Sequence, residues 1–218
     1  MKKFIYKNSL SLVFLLLFII AFAGQIFFGI KEYNKELTEL VGSTVSLSQY
    51  FSSGHFLEAT FENWESEFLQ MALYVWLTIF LRQQGSSESK KLEGEEEVDR
   101  EPDASKVDAP WPVKKGALYL IVYKNSLILS LFLLFILSFI LHVYGSLKDV
   151  NTQNSLKGKP LETVGNYLLD LRLWFESFQN WQSEFLSIFA IIVLSIFLRQ
   201  YKSPQSKPVD ASLLETGR

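Results

Sequence analysis

The stretch LSLVFLLLFIIAFAGQIFF, from Leu10 to Phe28, runs for 19 residues without a charged side chain. An α-helix crosses a bilayer with about 20 consecutive apolar residues, so this stretch predicts a transmembrane helix. Ser126 to Leu147 is longer, equally free of charge, and predicts a second one. The two stretches indicate an all-α membrane protein rather than a soluble domain.

Two shorter apolar runs, Phe68 to Leu81 and Phe185 to Leu198, have 14 residues each. A run of that length also fits a core helix or a re-entrant segment. Each run follows a similar preface, FENWESEF from Phe61 and FQNWQSEF from Phe178, and a helix that includes the preface has 21 residues. We therefore predict four transmembrane helices, at about residues 8–30, 61–82, 125–147 and 178–199.

The first stretch also has features of a cleaved signal peptide. Two lysines precede it, and Ala21-Phe-Ala23 has the small-residue spacing of a cleavage site. We prefer the transmembrane interpretation, because cleavage would leave the matching helix in the middle of the chain without its counterpart.

The chain repeats itself at an offset of 117 residues. Residues 6–90 and 123–207 are identical at 30 of 85 positions without a gap, including YKNSL from Tyr6 and Tyr123 and FLRQ from Phe80 and Phe197. Each copy contributes two helices, so both copies start from the same side of the membrane. This predicts two parallel helical hairpins related by a pseudo-two-fold axis along the membrane normal.

The basic residues predict the orientation. With a cytoplasmic N-terminus, 15 of the 21 Lys and Arg residues fall in inner segments and six in outer loops. Basic residues are enriched on the cytoplasmic side, so both termini and the central linker are predicted to be cytoplasmic.

The connecting segments complete the predicted organisation. Repeat 1 covers 1–90, repeat 2 covers 113–207, and a tail covers 208–218. The acidic stretch from Gly85 to Asp108, within a linker at 85–112, is predicted to be a disordered tether, with an acidic interaction segment as the alternative. Short interfacial helices are predicted in the outer loops, near the capping-box sequence Ser46-Leu-Ser-Gln49 and near Thr163.

Each copy also has a polar stripe on its second predicted helix. In the first copy the spacing i, i+3, i+4, i+7 places four polar side chains on one helix face, and the second copy is polar at the same four places. Gln25 and its counterpart His142 lie at a similar predicted depth on the neighbouring helices, which predicts hydrogen bonds of Gln25 with Glu67 and of His142 with Glu184. The candidate polar or ion site therefore consists of Asn63, Ser66, Glu67, Gln70, Asn180, Ser183, Glu184, Ser187, Gln25 and His142.

Two interpretations of this site remain open. A carboxylate within a membrane helix is costly and marks proton or ion pathways. Polar side chains between membrane helices also serve as interhelical hydrogen-bonding groups. In both interpretations Glu67 and Glu184 face the bundle, and Trp64 and Trp181 face outward.

Composition narrows the function classes. A net charge of −2 and the lack of a basic patch argue against nucleic-acid binding, and the chain has no cysteine. No nucleophile and base pair is visible, so we expect no enzyme, cofactor or metal site. The bilayer is the expected partner, a homo-oligomer is left open, and no small-molecule ligand can be identified. The leading function is a non-enzymatic interaction or envelope-supporting protein, and the alternative is a small channel or proton- or cation-coupled transporter.

Three sequence elements carry a resemblance to a known family. SGHFLEATFENWESEFLQ from Ser53, FLRQ from Phe80 and SSESK from Ser86 resemble an uncharacterised bacterial family of small integral membrane proteins with a domain of unknown function. The resemblance implies a bacterial inner-membrane location. It implies no activity, ligand or partner.

Overall fold

The computed structural model describes residues 2–217; the regular secondary structure of these residues is helical, and no strand occurs among them. The all-helical prediction is confirmed. In chain order the elements are α1 Lys2–Lys7, α2 Ser9–Glu39, α3 Leu47–Phe51, α4 Gly54–Phe80, a 3-10 turn Glu97–Asp99, α5 Trp111–Lys115, α6 Ala117–Lys124, α7 Ser126–Leu156, α8 Val164–Tyr167 and α9 Leu171–Phe197.

Three of the four long helices are long and apolar enough to cross a membrane: α2, α7 and α9. Helix α4 has 27 residues, the same length as α9, but four glutamates in its first half lower its apolar character. Each of the four helices extends beyond its predicted span at one end. Helix α4 begins at Gly54 rather than Phe61, and α2 ends at Glu39 rather than near Ile30.

Matching asparagines interrupt the helices at the YKNSL sequences. The side-chain amide of Asn8 donates to the carbonyl of Phe4, and that of Asn125 donates to the carbonyl of Ile121, each at 2.8 Å. Helices α1 and α6 end one residue before these asparagines, and α2 and α7 begin one residue after them. Side chains that hydrogen-bond to a nearby backbone group compete with the helical bonds, which accounts for the breaks.

Matching arginines close the other two long helices. Nη1 of Arg82 donates to the carbonyls of Thr78, Ile79 and Leu81 at 3.5, 3.1 and 3.0 Å. Nη1 of Arg199 makes the same three bonds, 117 residues later, at 3.2, 3.1 and 2.9 Å. The last carbonyls of a helix lack intrahelical partners, so the repeated FLRQ sequence acts as a helix C-cap.

The outer loops also share a local structure. Asn34 donates through its amide to the carbonyl of Val45 and accepts from its N–H, at 3.1 and 2.7 Å. Asn151 and Glu162 make the same pair of bonds at 3.0 and 2.7 Å. A short helix follows in each loop, and the capping box at Ser46 is present. These matched contacts agree with the sequence repeat, while the parallel arrangement of the two copies stays a prediction.

The described residues divide into two compact units. Unit 1 comprises the chain up to Phe61 and Ile140–Leu173, and unit 2 comprises Glu62–Phe139 and the chain from Trp174. The core of unit 1 contains Tyr33, Leu37, Tyr50 and Phe56, and Tyr50 is fully buried.

Two glycines allow α4 and α7 to cross closely in unit 1. A Cβ atom on Gly54 would lie 2.2 Å from the backbone nitrogen of Asp149 and 2.6 Å from the carbonyl oxygen of Gly145. A Cβ atom on Gly145 would lie 2.5 Å from the backbone nitrogen of Glu58. Only glycine fits at both positions, because these distances are shorter than any ordinary van der Waals contact.

Unit 2 includes residues that we assigned to the solvated linker. Ser86, Ser87 and Ser89 are buried, and the hydroxyls of Ser86 and Ser195 lie 2.8 Å apart. The N–H of Gly85 donates to the Thr216 hydroxyl at 2.9 Å. Hydroxyl pairing therefore packs the beginning of the predicted linker, although the segment has almost no apolar side chain.

Candidate functional site

The polar stripe of α4 is only partly buried. Ser66 and Gln70 are buried, but Asn63 and Glu67 are exposed, in contrast to our expectation. The buried acidic residue in this part of α4 is Glu65, which has no exposed surface. Two residues correspond to about 200° around a helix, so Glu65 and Glu67 lie on nearly opposite faces.

The second stripe, on α9, is more exposed than the first. Asn180 and Glu184 are half-buried, and Ser183 and Ser187 are exposed. Trp64 and Trp181, which we expected to face outward, are both half-buried.

Within unit 2, side chains of α4 and α9 form a series of hydrogen bonds that we call the polar ladder. Asn180 donates through its amide to the Glu62 carboxylate. The Trp181 indole N–H donates to Oε1 of Glu65 at 2.8 Å. The members are Glu62, Glu65, Gln70, Asn180, Trp181 and Ser187.

Gln70 completes the polar ladder. Its amide nitrogen donates to the Ser187 hydroxyl at 2.6 Å and to the backbone carbonyl of Glu184 at 2.8 Å. Gln70 and Ser187 are 117 residues apart, so they occupy the same position in the two sequence copies. Three predicted site residues, Gln70, Asn180 and Ser187, thus form direct side-chain bonds between the helices.

Sequence reasoning missed Glu62, Glu65 and Trp181. The second copy has glutamine in place of both acids, so the comparison of copies drew attention to Glu67 and Glu184 instead. The sequence spacing did contain a signal for the buried position of Glu65. Glu58, Glu65 and Ala72 recur every seven residues, and all three are buried, as is Leu69. A period of seven keeps residues on one helix face.

Gln25 and His142 belong to unit 1. The Gln25 amide donates to the Thr60 hydroxyl at 3.1 Å, so its partner lies two turns before Glu67 on α4. His142 is fully buried and belongs to a buried polar face of α7 with Ser138, Ser146 and Asp149. The pairing of His142 with Glu184 stays a prediction.

Unit 1 contains further polar contacts. Nη2 of Arg172 lies 2.6 Å from Oε1 of Glu58, whose side chain is nearly buried. The Tyr167 and Ser146 hydroxyls are hydrogen-bonded. At the matching position in the first copy, Gly29 leaves room for the Tyr50 hydroxyl, which lies 3.3 Å from Nδ1 of His55. Burial, with Glu36 and Tyr33 as smaller causes, raises the pKa of Tyr50 to about 12.

The chemistry of the polar ladder is that of hydrogen-bonding pairs. Its carboxylates accept from an amide and an indole, and its remaining amide donates to a hydroxyl and a carbonyl. Among residues 2–217, no group of three or more His, Cys, Asp or Glu residues is arranged to hold a metal ion.

Comparison with known proteins gives a family assignment. No curated protein and no solved structure matches the chain. The model of one family, described as Domain of unknown function (DUF6766), matches residues 1–218. The sequence-based expectation of an uncharacterised family is thereby confirmed, and the chain belongs to the DUF6766 family.

Proposed function

We propose that the chain is an integral membrane protein that crosses a bacterial inner membrane four times. The exposed apolar surface of α2 supports this: its most apolar 18-residue window has no buried residue, and large side chains such as Leu10 and Phe14 are exposed. Water would disfavour so large an apolar surface, whereas lipid would cover it. Helix α4, at about 1.5 Å per residue, is about 40 Å long and also has the length to cross.

The charged start of α4 is compatible with a fourth crossing. Its glutamates lie between Glu58 and Glu67, ahead of the apolar run, and Glu62 and Glu65 have hydrogen-bond donors on α9. Polar groups of membrane helices normally face partners rather than lipid.

Both termini and the central linker are proposed to be cytoplasmic, because of the distribution of Lys and Arg. A reporter fused after Arg218 or inserted at Gly94 should report the cytoplasm. A periplasmic signal at either position would exclude this topology.

The molecular role that we propose is non-enzymatic: the protein is a structural or interaction component of the envelope. The observation that carries this proposal is the polar ladder, in which the side chains of α4 and α9 bond to one another. Such bonds contribute to helix association in a bilayer. In this role the polar residues of the two stripes serve to hold the helices together.

A Trp181→Phe variant tests this role, with Glu65→Gln and, on the exposed face, Glu67→Gln as controls. Glutamine keeps a carbonyl acceptor for Trp181, so both controls should retain nearly full stability in detergent. Trp181→Phe removes the donor and leaves Glu65 with one bond fewer, which should cost about 1–3 kcal/mol. Equal stability of Trp181→Phe and wild type would contradict the structural role.

One observation favours a second candidate function. Glu65 is a fully buried carboxylate in a helix that we propose to cross the membrane, and such groups mark proton and cation pathways. In this case purified protein in liposomes should support a proton or cation flux that Glu65→Gln abolishes and Glu67→Gln preserves. The absence of flux in wild-type liposomes would leave the structural role as the better explanation.

A further inference from the structure

A cleft opens between α4 and α9 within unit 2, near the ends of the two helices that Arg82 and Arg199 cap. Its volume is about 500 Å³, within the range of small-molecule sites. Its walls are mainly aliphatic and aromatic. The apolar lining includes Leu73, Leu77 and Leu81 from α4 and Phe185, Ile188 and Ile192 from α9.

The lining of the cleft also includes oppositely charged side chains. Arg82 and Glu88 both line the cleft, beside Gln83 and Ser89. Glu88 accepts from the Tyr74 hydroxyl and, at 3.3 Å, from the Ser87 hydroxyl, and a carboxylate can accept about four hydrogen bonds in total. The nearby Lys90 forms an ion pair with Asp99, so the charges of Lys90 and Asp99 compensate each other.

The matching arginine in the second copy shows which chemistry suits Arg82. Both arginines cap their helices through Nη1, but Nη2 of Arg199 also donates to the carbonyls of Ala211 and Ser212, at 3.2 and 3.4 Å. These carbonyls belong to the C-terminal tail. Arg82 is exposed and lines the cleft at the corresponding point. A ligand with anionic oxygens would supply to Arg82 what the tail supplies to Arg199.

We propose that this cleft binds a membrane phospholipid with an amine headgroup. One acyl chain lies along the apolar walls, the phosphate contacts Arg82, and the ammonium group contacts Glu88. The proposal rests on the membrane location given under Proposed function. In the predicted topology the cleft faces the cytoplasmic leaflet, where an acyl chain can enter from the bilayer.

Lipid binding to the purified full-length protein tests the proposal. Native mass spectrometry in detergent would compare phosphatidylethanolamine with phosphatidylglycerol, which lacks the amine. Phosphatidylethanolamine should bind about tenfold more tightly, the effect of about 1.4 kcal/mol, because only its ammonium group can pair with Glu88. Glu88→Gln should remove that preference.

Two pairs of variants separate lipid contact from structural damage. Arg82→Gln and Arg199→Gln remove the same helix cap, but only Arg82→Gln should weaken phosphatidylethanolamine binding, by about tenfold. Leu77→Trp fills the cleft, whereas Leu194→Trp changes the matching position of α9, which is not among the lining residues. Only Leu77→Trp should block binding.

The proposal is overturned if the two lipids bind equally to wild type, or if the variants within either pair behave alike. Carbonate extraction of the cell membranes from which the protein is purified distinguishes this outcome from a failure of the proposed function. Protein that resists carbonate extraction but fails the lipid test refutes the lipid site alone. Protein that carbonate releases from the membrane refutes the membrane proposal as well.

Discussion

The close crossing at Gly54 and Gly145 leads to a quantitative prediction for Gly54→Ala. A new Cβ atom would lie 2.2 Å from the backbone nitrogen of Asp149. An ordinary contact needs about 3.4 Å, so α4 and α7 must separate by about 1.2 Å at this point. Overpacking of this kind costs about 1–3 kcal/mol. We expect Gly54→Ala to lower the free energy of unfolding by about 2 kcal/mol. The higher helix propensity of alanine offsets little of this cost, because Gly54 is the first residue of α4.

Gly24→Ala is the matched control. Gly24 lies inside α2, and nothing approaches within 4 Å of the position that its Cβ would occupy. This substitution should stabilise the protein by up to about 1 kcal/mol, because alanine is the better helix former. The two variants should therefore shift stability in opposite directions.

Unfolding in detergent micelles by SDS titration, followed by circular dichroism, measures both effects. Gly54→Ala combined with Gly145→Ala should cost less than the sum of the single changes, since one displacement of the helices relieves both clashes. A Gly54→Ala variant as stable as wild type, or strictly additive costs, would refute the close crossing.

Two further predictions concern titration and the C-terminal tail. The Tyr50 phenol should ionise near pH 12 in a titration followed at 295 nm, and Tyr50→Phe should remove that transition. Because this pKa is raised from 10.0, the protonated phenol contributes stability that is complete below about pH 10 and is lost as the pH rises through about 12. Lys207, whose buried ammonium group donates to the carbonyls of Ser212, Leu213 and Glu215, should hold the tail in place. Lys207→Gln should accelerate carboxypeptidase digestion of the tail several-fold, whereas Lys202→Gln, at an exposed position, should not.

Local sequence signals predicted most of the helical elements. The apolar stretch from Leu10 to Phe28 lies within α2, and the capping-box spacing at Ser46 marks the start of α3. These features depend on neighbouring residues, so a single sequence carries them. The ends of the long helices were harder to predict from the sequence, because these helices continue through polar residues beyond the apolar runs.

The candidate site was harder to predict because its contacts join unlike residues. Identity between the two copies pointed to Glu67, which the second copy retains as Glu184. The buried acid is instead Glu65, whose partner is the indole of Trp181. Identical residues in the copies mark local structure, such as the caps at Arg82 and Arg199. Contacts between helices depend on rotation about the helix axis, which the polar spacing alone did not determine.

The arginine caps have a consequence for how such a protein can evolve. A small membrane protein can reverse its orientation when a few basic residues move from one side to the other. Arg82 and Arg199 are among the basic residues on the predicted cytoplasmic side, and each also satisfies three helix carbonyls. Moving either charge would leave a helix end without its hydrogen bonds. Inversion of this chain therefore requires new helix caps as well as new charges, which favours a single fixed orientation.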